Sequence, residues 1–478
     1  MLTTFTAPAF AGTWYIEDGD ITISAGESGN NVTQNENTTK NDTDTIITNR
    51  EEGASSHTVT IDAKDKDDKV EVTLKDANID TSKQSKAAVS VTGSGDTTIE
   101  LDGDNELQGG DRHAGLEHNQ TVDSEGNVTS GKLTIQDDND NAGSLTATGG
   151  YFGAGIGGGS AKAGQVTITG GTITAISGDG AGIGGGQGNM GSNAGNADIE
   201  ISGGTIEATG GYTSAGIGGG YYGDATIKIT GDAVIKNATG GTFGAGIGGG
   251  GGGNGDVTIS GNAKIENAQG GYAGSGIGGG YGASGTVTIK DDSTVTATGG
   301  EAGAGIGGGV GGLADVTIEG NATVNAIGGV GSAGIGGGYD AENDEDDGNG
   351  NQISIKSNES GAPTVNATGG ESSIDKKTGE KIPGGAGIGS GAGDAKANIT
   401  LEGKVTIVAK AGEGNAAIGD MNGEQVFTGL DGSITRYDSE GNDTTLPTDP
   451  GYPVPADTSS SGGGSADASV QESVFPGL

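Results

Sequence analysis

Short runs in which β-branched apolar and polar residues alternate recur along nearly the whole chain. In QVTITGGTITAISGDGAGIGGG, Gln165–Gly186, the run VTIT is followed by a glycine pair, then TITA, a second glycine-rich turn, AGIG and a third turn. Alternation with period two is the signature of a half-buried strand. It predicts Val166, Ile168, Ile173, Ala175, Ala181 and Ile183 inside, with Thr167, Thr169, Thr172 and Thr174 outside. In the third strand glycine takes every outward place, which predicts one flat, bare face.

The unit repeats. The isoleucines of its GIG core are Ile156, Ile183, Ile217, Ile247, Ile277, Ile306, Ile335 and Ile388, spaced by 27, 34, 30, 30, 29, 29 and 53 residues. The last gap holds an acidic insert at 340–351 and a second insert at 374–381. A weakened copy follows at Ala416–Asp420, and degenerate copies precede at Ala87–Val89 and Ala114–Leu116. About eleven units result. A period near thirty means stacked repeats, and three short strands per unit, shorter than a propeller blade, specify one triangular coil. The expected fold is therefore all-β, a single-stranded right-handed parallel β-helix. At roughly 4.8 Å per coil it makes a rod of about 50 Å.

Composition agrees. Glycine is 106 of 478 residues, hydrophobics are 30% and aromatics 4%, too apolar-poor for an ordinary core but enough for interior residues stacked coil on coil. GAGIGGG at Gly153–Gly159 contains G-x-G-x-x-G. A dinucleotide site needs those glycines once, between a strand and a helix. Here they recur with no helical pattern after them, so sharp corners needing positive φ are the expected reason.

Net charge is −41, which argues against nucleic acid and anionic lipid as partners. The absence of cysteine excludes disulfides and thiol chemistry, and no apolar run is long enough for a membrane helix. Ala9-Phe10-Ala11 before Gly12 reads as the end of a secretory signal, which implies a secreted or cell-surface chain. Domain limits follow: 1–11 a signal remnant or disordered start, 12–432 the solenoid (12–142 degenerate coils, 143–432 glycine-rich repeats), and 433–478 a Pro/Ser/Gly-rich tail or linker.

Aromatic residues hold fixed places in the repeat. Tyr151, Tyr212 and Tyr272 stand five residues before a core isoleucine, Phe152 and Phe243 four before, and Tyr221, Tyr281 and Tyr339 four after, with Tyr222 beside the first. Equivalent positions in a solenoid stack, so these rings are expected along two edges of the glycine face. There they either hold the apolar C–H face of a sugar or cap the corners against water. Acidic runs suggest oxygen-ligated calcium: Asp340, Asp344, Asp346 and Asp347 in one, Asp137, Asp138 and Asp140 in another. The first has no glutamate closing it as an EF-hand loop does, and a solvated charge run is the competing reading. DRHAGLEHNQ, Asp111–Gln120, carries Arg112, His113 and His118 in the GIG slot of an early coil; acid–base or metal work is conceivable there. Outward threonine pairs are interrupted by Glu200, Glu207, Lys228 and Lys236, which argues against an ice-binding array.

The segment VTLKDANIDTSKQSKAAVSVTGSGDTTIELDGDNEL, Val72–Leu107, resembles the opening coils of secreted carbohydrate-binding β-helix proteins of clostridia-like Gram-positive bacteria. The GSLTATGG…GAGIGGG units from Gly143 are similar to arrays found beside such coils. The resemblance implies a right-handed β-helix, export and binding of a polysaccharide or cell-surface glycan, sometimes with calcium. The expected function is thus a non-catalytic, exported carbohydrate-binding solenoid. The alternatives are a stalk or adhesin with a protein partner or self-association, and a polysaccharide lyase or hydrolase.

Overall fold

A computed structural model describes residues 10–139, 141–188, 195–343, 350–393 and 395–452. It is a right-handed parallel β-solenoid of about 14 turns, 46% strand and 1% helix, a rod of about 65 Å at roughly 4.8 Å per coil. Each coil runs through three strands, as in Gly164–Ile168, Thr172–Ile176 and Ile183–Gly184. Each strand pairs in parallel with its equivalent one coil on, which builds three stacks. In the first stack Val166 faces Ile199, in the second Ile173 faces Ile206, and in the third Ile156, Ile183, Ile217 and Ile247 stand in direct register. These side chains are fully or almost fully buried. Each packs on its own kind above and below, so a 30% hydrophobic chain closes a continuous core.

The solenoid is longer than the sequence count because Ile21–Ala25 and Val59–Ala63 also belong to the third stack, upstream of Val89. Their sequences ITISA and VTIDA are ordinary alternating strands without the glycine signature. The first described strand, Phe10–Tyr15, pairs with Asn37–Thr48, so residues 10 and 11 of the segment read as a signal remnant already belong to a solenoid strand. At the other end Asp431–Tyr437 is the last strand of the second stack and Ile434 is buried beneath it. Described structure therefore continues past the boundary expected at 432, to residue 452. Residues 453–478 lie outside the described residues.

Thr167 is directed outward as expected yet only 6% exposed. Its coil lies between those of Thr134 and Glu200, and the Lys132–Glu200 ion pair, 3.3 Å long, spans it.

The glycine face is not bare. Residues 153–159 are all buried, because the turns before and after the third strand fold over it. Only Gly157 of GAGIGGG has positive φ, at 128°. The other glycines are required by close approach. A Cβ at Gly153 would stand 2.2 Å from the His113 backbone, at Gly155 2.7 Å from the Gly182 oxygen, and at Gly158 2.4 Å from the Lys162 oxygen. Corner geometry thus bears on one position of the motif, backbone packing on Gly153, Gly155 and Gly158, and the Glu117 side chain, 2.8 Å from a Cβ there, on Gly159. Among the described residues the helical content is one three-residue 3-10 turn, Ile16–Asp18, so no helix follows these glycines to receive a phosphate.

Candidate functional site: an aromatic ridge and the pocket at its start

The two turns that cover the third strand meet each other. The residue after the glycines of one coil donates its N–H to a carbonyl before the glycines of the preceding coil: Gln187 to Phe152 (2.9 Å), Gly251 to Thr213 (2.8 Å), Tyr281 to Phe243 (2.8 Å), Val310 to Ala273 (3.0 Å) and Tyr339 to Ala302 (3.3 Å). The ring positions expected on two separate edges therefore merge into one ridge along the rod.

Tyr151, Tyr212, Tyr272 and Tyr281 are 61%, 58%, 56% and 50% exposed. Phe152, Tyr221, Tyr222, Phe243 and Tyr339 are half-buried. Phe243 joins the two rows, with its ring 5.5 Å from Tyr212 and 5.5 Å from Tyr281, both edge-on. Tyr221 and Tyr222 lie 4.2 Å apart, and Tyr151 and Phe152 4.6 Å. The result is a run of rings over three successive coils, those of Ile217, Ile247 and Ile277, with the Tyr151–Phe152 pair beyond a gap of one coil. That gap is polar. Asp179 occupies the slot that Phe152 and Phe243 fill in their coils. It is 7% exposed and accepts a hydrogen bond from Gln187 Nε2 at 3.1 Å. Burial raises its carboxyl above the usual range, against a smaller lowering by backbone hydrogen bonding from Tyr212. A carboxylate whose folded-state value is raised destabilises the fold in full above that value, and the effect fades as pH falls from there to the unfolded-state value and is absent below it. Asp179→Asn is accordingly expected to stabilise the chain by on the order of 1 kcal/mol at pH 7 and by nothing at pH 3, read as a shift in urea midpoint at the two pH values.

At its far end the ridge is covered. Tyr339 Cδ2, Ile382 Cγ2 and Ala392 Cβ gather around Gly331, and the hairpin of Ser373–Ile374 and Lys381–Ile382 stands over them. Burial raises the Tyr339 phenol.

At its near end the ridge opens into a pocket of about 450 Å³ whose walls include Arg112, His113, Glu117, Asn119, Phe152 and Lys162. Here HAGLEHN replaces GAGIGGG. Leu116 takes the place of Ile156, and Glu117 is in register with Gly157, so side chains occupy what is bare backbone in the coils that follow. Glu117 Oε2 lies 2.8 Å from His113 Nδ1 and accepts the Ala114 N–H at 3.2 Å, while Oε1 accepts from Asn119 Nδ2 at 3.0 Å. Asn119 Oδ1 takes the Gly159 N–H at 2.9 Å. The guanidinium of Arg112 stands 5.8 Å from the Phe152 ring centre. His118 is directed elsewhere: it is 2% exposed, its Nδ1 sits 2.7 Å from the Gln165 carbonyl, and burial lowers its pKa. Sequence reading singled out Arg112 and His113 but missed Glu117, Asn119 and Lys162. For Glu117 and Asn119 the signal was there, in the replacement of four array glycines by His113, Glu117, His118 and Asn119.

The acidic runs do not gather. Among the described residues no three Asp, Glu or His side chains form a group able to hold a metal ion. Asp137 Oδ1 is enclosed without a hydrogen-bond partner, but its other oxygen takes the Gly143 N–H at 3.1 Å and Asp138 is exposed. One free oxygen falls far short of the six to eight that calcium needs. Asp340 is exposed and separate. Asp140, Asp344, Asp346 and Asp347 lie outside the described residues.

A second depression, of about 650 Å³, lies over the early coils of the second stack, lined by Asp76, Asp104 and Glu106 with Glu51, Glu52 and Arg50. Asp76 Oδ1 accepts the Asp104 N–H at 3.1 Å, and Asp104 accepts the Ser144 hydroxyl at 2.8 Å.

Stacked parallel coils around one interior define a parallel β-helix protein. A family model described as beta helix repeat matches residues 141–160, 166–187, 199–221, 287–310 and 316–339, segments that each carry a GIG core. No curated protein and no solved structure matches the chain.

Proposed function

We propose that the chain is an exported, non-catalytic β-helix that binds polysaccharide along the aromatic ridge. The observation that carries this reading is the run of Tyr212, Phe243, Tyr272 and Tyr281 over three successive coils, three of the four at least half exposed. Tyrosine presents an apolar face and a polar tip, the combination that suits a ring with a C–H face and hydroxyl rim. A solenoid repeats that surface at a fixed spacing, as a repeating polymer does. The partner is a cell-surface or extracellular glycan.

A glycan array with the full chain tests it, run with calcium and with a chelator. Tyr212→Ala and Tyr272→Ala are each expected to weaken binding about tenfold with the fold intact by circular dichroism. Loss of binding in the chelator adds calcium to the site. Failure to bind any neutral or acidic polysaccharide removes the reading and leaves a stalk whose partner is a protein or a second copy.

A hydrolase is the second reading, and the carboxylates of the second depression favour it. It ranks lower because Asp76 and Asp104 are engaged in holding the turn. Release of reducing ends from the polysaccharide bound, abolished by Glu106→Gln, would promote it.

A further inference from the structure

The pocket at the near end of the ridge has the wrong charge for this protein. The chain carries 64 acidic and 23 basic residues, yet Arg112 and Lys162 share one wall system. Arg112's nearest carboxylate is Asp111, at 3.8 Å with both side chains more than half exposed, a pairing worth little in water. Lys162 has no ion-pair partner among the described residues. Glu117, the one carboxylate in the lining, is already spent on His113, Asn119 and the Ala114 N–H. Its oxygens are satisfied from within the protein, whereas Arg112 has only the exposed Asp111 pairing and Lys162 has no ion pair among the described residues.

We propose that this pocket takes the acidic group, carboxylate or sulfate, of a sugar residue in a chain laid along the ridge; the inference rests on the carbohydrate reading above and names its ligand class. The planar fork of Arg112 matches two oxyanion oxygens, and Lys162 supplies a second charge-assisted donor. Phe152 forms the shared wall: Arg112 stands over its ring, and Tyr151, the first exposed ring of the ridge, packs edge-on against it at 4.6 Å. A volume of about 450 Å³ is in the range of small-ligand sites. The long-range field of a −41 chain repels a polyanion, and at 0.1 M salt that repulsion is screened beyond about 10 Å. Selection for an acidic sugar therefore falls to short contacts inside the pocket.

The test is calorimetric titration at physiological salt with three oligosaccharides of one length: a galacturonate oligomer, a sulfated galactan oligomer and a neutral galactan oligomer. An acidic probe is expected to bind at least about tenfold tighter than the neutral one. Carboxylated and sulfated arms distinguish the two oxyanions, and preference for either supports the site. Arg112→Asn, chosen because residue 112 has φ 69° and asparagine tolerates that region, and Lys162→Gln each reduce the preference; together they abolish it while neutral binding stays. Lys162→Arg retains it. Equal affinity for acidic and neutral probes, or a preference that survives the double variant, overturns the pocket alone. No binding by any of the three, in a chain that binds another glycan on the array, overturns the pocket alone; silence across the whole array overturns the ridge reading as well.

Discussion

Gly278→Ala is expected to cost about 3–6 kcal/mol, because two separate penalties fall on one atom. Gly278 has φ 131°, and a Cβ there would stand 2.1 Å from the Gly307 carbonyl oxygen of the next coil. That oxygen accepts the Gly279 N–H at 2.9 Å, so the neighbour cannot retreat without breaking the inter-coil ladder. Two nearby glycines separate the causes. Gly276 has no positive φ, but its Cβ would meet Gly305 O at 2.6 Å and Thr298 N at 2.8 Å; Gly282 has φ 69° and open space around it. Alanine at 282 should cost about 1–2 kcal/mol from backbone conformation alone, alanine at 276 more from overpacking, and alanine at 278 the most. The measurement is urea unfolding together with amide hydrogen exchange of the flanking coils, since a solenoid opens locally before it opens everywhere. A tolerated Gly276→Ala would show that corner geometry, and not packing, is what keeps the array rich in glycine.

That comparison marks where sequence reading stops. The three-strand coil was legible because Val166/Ile168 and Ile173/Ala175 alternate strictly and the GIG isoleucines recur near every thirtieth residue; both are local patterns with a direct geometric meaning. The covering of the glycine face was not legible. It depends on hydrogen bonds such as Tyr281 N–H to Phe243 O, which join residues 38 apart and leave no trace in residue type. The ring positions were therefore readable as rows, while their merging into one ridge was not. The pocket was half legible: His113 and Arg112 stood out as rare residues, but Glu117 acquires meaning only once register places it against Gly157. The opening coils were hidden for the opposite reason, since ITISA and VTIDA look like strands of any sheet.

The end of the rod was the least legible part, and a single side chain holds it. Arg436 points inward from the last strand of the second stack and is fully buried. Nε and Nη2 bind both oxygens of Asp449, at 2.7 and 3.0 Å; Nη1 donates to Ile418 O at 3.3 Å and to Glu424, and Nη2 to Gln425 O at 2.9 Å. Its five N–H groups thus meet acceptors from the last strand of the third stack, the hairpin after it and the closing segment. Glu424 in turn takes the Ala417 and Ile418 N–H groups at 2.6 and 3.0 Å. The Gln425 side chain covers the end of the first stack by bonding Ile399 N and O at 3.3 and 2.8 Å. All three stacks are closed through this one junction, which is how a solenoid hides edges that would otherwise pair with another chain. Arg436→Met leaves the buried Asp449 carboxylate without its cation and is expected to destabilise the cap by about 3–5 kcal/mol. Arg436→Met with Asp449→Asn should recover part of that, because the uncompensated charge is then gone. In the single variant the last coils should lose hydrogen-exchange protection while the middle of the array keeps it. The exposed strand ends should then drive end-to-end association, seen as a concentration-dependent rise in mass by light scattering. A variant that stays monomeric with its last coils protected would show that the core stack, not the Arg436 junction, closes the rod.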